Sequence, residues 1–139
     1  MSPRYLLDTN VLSELMRPRR STAVVRRATE VHDRLVTAAP VVHELQYGIA
    51  RLPEGARKNE LEEAAQTVCS ELPVLAYDED AARWHARQRA RLDRSAGTRP
   101  FADGQVAAIA AVNGCVLVTR NAKDFEGYAG LVVEDWFGG

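Results

Sequence analysis

The chain has 139 residues, 46% of them hydrophobic and 27% charged, the proportions of one globular domain and unlike a disordered or collagenous polymer. A formal charge of -1 gives no global attraction to nucleic acid, so any nucleic-acid surface is local. No apolar run approaches the roughly 18 residues of a membrane span, and two distant cysteines, Cys69 and Cys115, with no signal-like segment before Tyr5, point to a reduced, cytoplasmic setting.

The apolar residues 5 to 7 end in Asp8-Thr9-Asn10, after which Val11, Leu12 and Leu15 return at helical spacing, predicting strand, polar turn and helix. In an open parallel sheet ligands gather outside the carboxyl ends of the strands, which makes Asp8 the first candidate site residue. Arg17-Pro18-Arg19-Arg20 stops the helix, and Ser21 is placed to cap another reaching about Glu30. Arg17, Arg19, Arg20 and Arg26 form either a solvated loop or a phosphate-contacting patch. Residues 35 to 38 read as a second strand, and beyond Pro40 the residues Val41, Val42, Leu45, Ile49 and Leu52 recur with helical period. Glu44 borders that apolar stripe instead of facing bulk water, so it needs a partner. Gly48 costs about 1 kcal/mol relative to alanine in a helix interior and predicts close approach by another backbone.

A charged helix is expected over 56–71 and a strand over 74–77, with Asp78 capping a helix that runs to about Ala96. Arg83, Arg87 and Arg91, four apart, share one face of it, suited to a phosphate backbone, an acidic partner or solvent. Residues 95–100 are the most loop-like stretch, and 101–113 a mostly apolar helix with Asp103 in its first turn, at the amino end of the buried stripe. Gly114 ends it; 115–118 is a strand, Thr119-Arg120-Asn121 a polar turn with Asp124 close behind, and 131–133 a last strand. Strands alternating with helices make a single α/β domain over 1–139 with a mainly parallel central sheet.

Asp8, Glu44, Asp103 and the Asn121 to Asp124 turn all fall where strands end or helices begin, places that converge on one edge of such a sheet. Carboxylates crowded together repel and resist ionisation unless a hard cation compensates them, and oxygen ligands suit Mg²⁺ or Mn²⁺. Attack of metal-activated water on a phosphodiester is the chemistry that set supports. Competing motifs lack parts: His43-Glu44 opens HExxH but Tyr47 replaces the second histidine, and there is no GxGxxG, GxxxxGK[ST] or GxSxG.

Leu6-Leu7-Asp8-Thr9-Asn10-Val11-Leu12, Val42-His43-Glu44-Leu45 with Gly48, Phe101-Ala102-Asp103 with Ala107-Ala108-Ile109-Ala110, and Leu117-Val118-Thr119-Arg120-Asn121 with Asp124-Phe125 together resemble the PIN-domain ribonucleases, specifically VapC-type toxins of toxin-antitoxin pairs. The resemblance implies a three-layer α/β/α sandwich and an endoribonuclease whose acidic pocket binds Mg²⁺ or Mn²⁺. Asp8, Glu44 and Asp103 match the family's metal-binding acids, and Thr119 matches a hydroxyl beside the pocket. Asn121 stands where the family often has a fourth acid, so either its carbonyl oxygen or the nearby Asp124 completes the ligand set. The family also implies a homodimer, an RNA substrate and a cognate VapB-type antitoxin that covers the pocket and binds operator DNA itself. A catalytically silent module on the same fold and a small metal-dependent phosphatase are the competing assignments.

Overall fold

A computed structural model describes residues 2–95 and 97–138. Strands β1 (Tyr5–Leu7), β2 (Leu35–Ala38), β3 (Val74–Leu75), β4 (Val116–Val118) and β5 (Val132–Glu134) form one sheet in the order β3-β2-β1-β4-β5. Every neighbouring pair is parallel, with Leu6 opposite Val36 on one side and Leu117 on the other. The helices are α1 (Thr9–Leu15), α2 (Thr22–Glu30), α3 (Ala39–Ala50), α4 (Ala56–Cys69), α5 (Glu79–Ser95) and α6 (Phe101–Val112). The chain steps outward from β1 through β2 to β3, then crosses back to β4 and β5. Right-handed crossovers therefore place α1 to α4 on one face and α5 with α6 on the other, completing a three-layer α/β/α sandwich. The packing of α1 on α2 and α3, of α3 on α4, and of α5 on α6 follows this division.

Central parallel strands are covered on both faces and read as unbroken apolar runs. Accordingly all three residues of β1 and all three of β4 are buried. On α6 the small Ala107, Ala108 and Ala110, all fully enclosed, let the helix lie close to the sheet, with Ile109 filling the space between. The order of crossovers reverses between β1 and β4, so the crevice outside their carboxyl ends is the switch point where α/β sheets bind ligands. The ladder continues to its brink: Asp8 N donates to Val118 O at 3.0 Å, and Thr119 N to Glu134 O at 3.0 Å.

Several expectations change in detail. The third strand stops at Leu75, because Tyr77 turns from the sheet edge to bond His85 on α5. The fourth begins at Val116, and the fifth is Val132–Glu134, one residue later than its apolar run suggests. Gly48 meets no backbone: a Cβ there would have no heavy atom within 4 Å, and the residue lies exposed on α3 beside a groove shared with Tyr47 and Arg51. Glu44 flanks the stripe, next to buried Leu45, but its own side is exposed. Ser21 and Asp78 cap as expected, accepting from Val24 N and Ala81 N. The expected end of the helix at Ala96 lies outside the described residues. On the arginine face, Arg83 pairs with Glu79 at 2.8 Å and Arg91 donates to Gln88 and to the Gly127 carbonyl. Cys69 is half-buried and Cys115 buried, both as free thiols. No helix among the described residues is long and apolar enough to cross a membrane.

Candidate active site

Asp8 directly follows β1, its N–H still bonded to Val118 O, and is also the N-cap of α1, so strand and helix fix its backbone from both sides. Its Oδ1 accepts from Thr9 N at 2.9 Å and its Oδ2 from Thr119 Oγ1 at 2.9 Å. With both oxygens engaged, the carboxylate plane cannot rotate. Thr119 is completely buried just beyond β4, and its Oγ1 also accepts from Asn10 Nδ2 and from Asn121 N, both at 3.2 Å. One donor and two lone pairs are thereby all used. Asn10 Oδ1 accepts from Arg120 N at 3.0 Å, so the first turn of α1 is laced to the turn after β4.

Three other elements bring acids to this crevice. Glu44, from α3, accepts at Oε2 from Thr9 Oγ1 at 3.0 Å, which supplies the partner its position demands. Asp103 comes from the first turn of α6, and Asp124 from the 3-10 turn Ala122–Phe125. Asp8, Glu44, Asp103, Asn121 and Asp124 line one cavity of about 230 Å³, with Thr9, Asn10 and the buried ring of Phe125 completing its walls. Both candidates for the fourth position, Asn121 and Asp124, thus reach the same space. Thr119 stands behind it and reaches it through its bonds with Asp8, Asn10 and Asn121.

The crowding shows in the acidities. Burial, helped by the charges of Glu44 and Asp124, pushes the Asp8 carboxyl above its ordinary value of 3.8, against the lowering effect of its bonds from Thr9 and Thr119. Asp103 is raised to about 6, first by burial and then by Asp8, Asp124 and Glu44, with no lowering contribution set against them. Such a site holds excess negative charge at neutral pH and offers only oxygen donors, the chemistry of a hard divalent cation. Among the described residues no group of three or more His, Cys, Asp or Glu side chains forms a ready-made metal cage. A magnesium-like ion does not require one, because it keeps several waters and takes one or two carboxylates.

Thr9 and Asn10 carry more than their reading as turn residues suggested. The signal was present as three consecutive polar side chains after a wholly apolar strand, but their partners lie 35 and 109 residues away in the chain. Glu14 is another side chain whose partners no local pattern marks. It is a buried carboxylate on α1 that accepts from Ser21 N at 2.7 Å and Arg17 Nη1 at 3.1 Å, tying the start of α2 to α1 away from the cavity.

The family model for the PIN domain matches residues 5–131. VapC ribonuclease Y4jK of Sinorhizobium fredii is 35% identical over 138 residues, covering 94% of this chain and 96% of the relative. Toxin FitB of Neisseria gonorrhoeae is 32% identical over 137 residues, with 94% and 97% covered. Among solved structures, DNA-bound VapBC from Salmonella typhimurium superposes with a TM-score of 0.85 at 27% identity, covering 97% of this chain and 99% of that one. FitAcB from Neisseria gonorrhoeae gives 0.81 at 28% identity, with 96% and 99% covered. With the motifs, the sheet order and the acid-lined switch point all in place, the chain belongs to the PIN-domain family.

Proposed function

We propose that this chain is the toxin of a toxin-antitoxin pair, an endoribonuclease that hydrolyses RNA phosphodiester bonds at the acid-lined cavity with Mg²⁺ or Mn²⁺. The observation that carries the reading is the meeting of Asp8, Glu44, Asp103 and Asp124, from four separate elements, around one small cavity where two of the carboxyls have their pKa values raised. Asp8 and Asp103 would hold the cation, with Glu44, Asn121 and Asp124 completing or orienting its shell. A divalent ion bound there supplies charge compensation, a water of lowered pKa and stabilisation of the phosphate oxygens.

The chain's own residues prepare that site. Thr9 N and Thr119 Oγ1 hold the Asp8 carboxylate in one orientation, and fixed orientation of a charged group before reaction is where most catalytic advantage arises. Thr9 Oγ1 steadies Glu44 at the rim. The buried ring of Phe125 closes one wall of the cavity. Asp103 takes up a proton as pH falls through about 6, which discharges the pocket and weakens it for a cation.

The relatives extend the reading to partners. The Salmonella typhimurium VapBC structure includes DNA, and VapBC-5 of Mycobacterium tuberculosis, 25% identical over 96% of this chain, is a member of the VapBC family of toxin-antitoxin systems. By that likeness this chain pairs with a small VapB-type antitoxin, forms a homodimer, meets operator DNA only through the antitoxin, and works in the cytoplasm. The decisive experiment mixes the purified, antitoxin-free chain with RNA. Cleavage that needs Mg²⁺ or Mn²⁺, stops with chelator and is suppressed by the antitoxin supports the reading. Release of inorganic phosphate from small esters with RNA untouched, or partner binding with no cleavage at all, would replace it.

A further inference from the structure

His85 is a buried histidine that the acid site does not use. It projects from α5 with 3% of its surface exposed, its Nδ1 lies 2.8 Å from the Tyr77 hydroxyl, and its ring packs on Phe101 with centroids 4.8 Å apart. The opposite edge of the ring faces Gly104 of α6. A Cβ at Gly104 would fall inside van der Waals contact of His85 Nε2 and 2.7 Å from Cδ2, so no side chain fits between the two helices at this level. Gly104 directly follows Asp103, and one residue turns a helix by about 100°. The face that meets His85 and the face that offers Asp103 to the acids therefore belong to the same turn.

We propose that the His85 ring, clamped by Tyr77 and Phe101 and met by a residue with no side chain, is the spacer that sets the depth of the first turn of α6. It thereby places the Asp103 carboxylate against Asp8. His85, Tyr77 and Gly104 are positioning residues for the acidic site, and the inference rests on the cation-binding reading of that site. The ring cannot swing aside without giving up the Tyr77 bond and its packing on Phe101. A larger residue at 104 must instead lift the helix, and interiors packed as densely as organic crystals pass such a displacement on. Misplacement of a reacting group by about 1 Å is enough to cost about 100-fold in rate.

The test compares wild type with Gly104→Ala, His85→Ala and the double substitution, each as the full chain free of partner. Mn²⁺ affinity is measured by calorimetry, kcat and KM on single-stranded RNA, and the melting temperature on the same samples. In folded Gly104→Ala, Mn²⁺ affinity should fall about 10-fold or more and kcat about 100-fold with KM little changed. His85→Ala, which removes the spacer, should also weaken Mn²⁺ binding, and the double substitution should be less impaired than Gly104→Ala, because the new methyl then takes up space that the ring has left. A merely structural contact would lower the melting temperature and leave the Mn²⁺ affinity of the folded protein unmoved. Wild-type affinity and kcat in Gly104→Ala, or a double substitution no better than the single, would overturn the proposal. Should Gly104→Ala not fold, Tyr77→Phe decides: a loosened ring weakens Mn²⁺, and unchanged affinity refutes the spacer. A wild type that neither binds Mn²⁺ nor cuts RNA would sink the nuclease reading instead. The spacer would then stand or fall on whether a crystal structure of Gly104→Ala shows the Asp8 and Asp103 carboxylates farther apart.

Discussion

Replacing Asp103 by asparagine should make the cation-free protein more stable while abolishing its activity. The folded chain holds the Asp103 carboxyl at about 6 where the unfolded chain has it near 3.8, so the proton binds more tightly to the folded state. A raised pKa contributes stability that is present below the unfolded value and is lost as pH rises through the folded one. Above pH 6 the ionised carboxylate is thus a cost, and the gap between 3.8 and about 6 at 1.36 kcal/mol per pH unit makes it about 3 kcal/mol, an upper figure since water screens part of it. Asparagine has nearly the same shape and never ionises, so it removes that cost. For a domain of this size 3 kcal/mol corresponds to about 10 °C in melting temperature. Melting curves in chelator should show Asp103→Asn above wild type at pH 8 by up to that amount, with the gap closing near pH 4. Added Mn²⁺ should raise the wild type more than the variant. Equal melting at pH 8, or a gap that persists at pH 4, would refute the electrostatic account of the pocket.

Two other substitutions probe the framework. Thr119→Val keeps the shape but leaves Asp8 Oδ2, Asn10 Nδ2 and Asn121 N–H each without the hydroxyl; because these partners are only partly buried and water can reach them, the loss should be about 1–3 kcal/mol in urea unfolding. The same change should raise the Asp8 pKa further, since the Thr119 bond lowers it, and so shift the pH-rate profile upward. Glu14→Ala strips Ser21 N of its acceptor and should cost roughly 2 kcal/mol at pH 7. The Ser21 bond, ahead of Arg17, holds the Glu14 carboxyl below its usual value of 4.5, so its contribution is present above that value and fades as pH falls below it. Stability that differs equally from wild type at pH 7 and pH 3 would contradict that assignment.

The parts of the fold that follow a local rule were legible in the sequence. An apolar triplet, an acid and a resumed helical period placed β1, Asp8 and α1, and the same pattern located α3 and α6. Asp8 and Asp103 were legible because strand ends and helix starts share an edge in any parallel sheet, whereas Glu44 lies in the second turn of α3 and was marked by its place beside the apolar stripe. What escaped was set by contacts across the chain. The bond from Asn10 to Thr119 spans 109 residues and no periodicity encodes it. Tyr77 reads as strand by its apolar neighbours, yet a single bond to His85 draws it off the sheet edge. Gly48 suggested a close backbone because a glycine in a helix is costly, whereas here it faces a groove. Gly104 carries the close approach instead, and it looked unremarkable among the alanines of α6.

The most direct test of the central claim is cleavage of a single-stranded RNA by wild type and Asp8→Asn side by side in Mn²⁺, each purified without antitoxin and shown to be folded. Metal-dependent cutting by the wild type and its loss in Asp8→Asn, whose amide cannot match the doubly anchored carboxylate, is the result expected. Equal cutting by both proteins, or cutting that survives chelator, would contradict it.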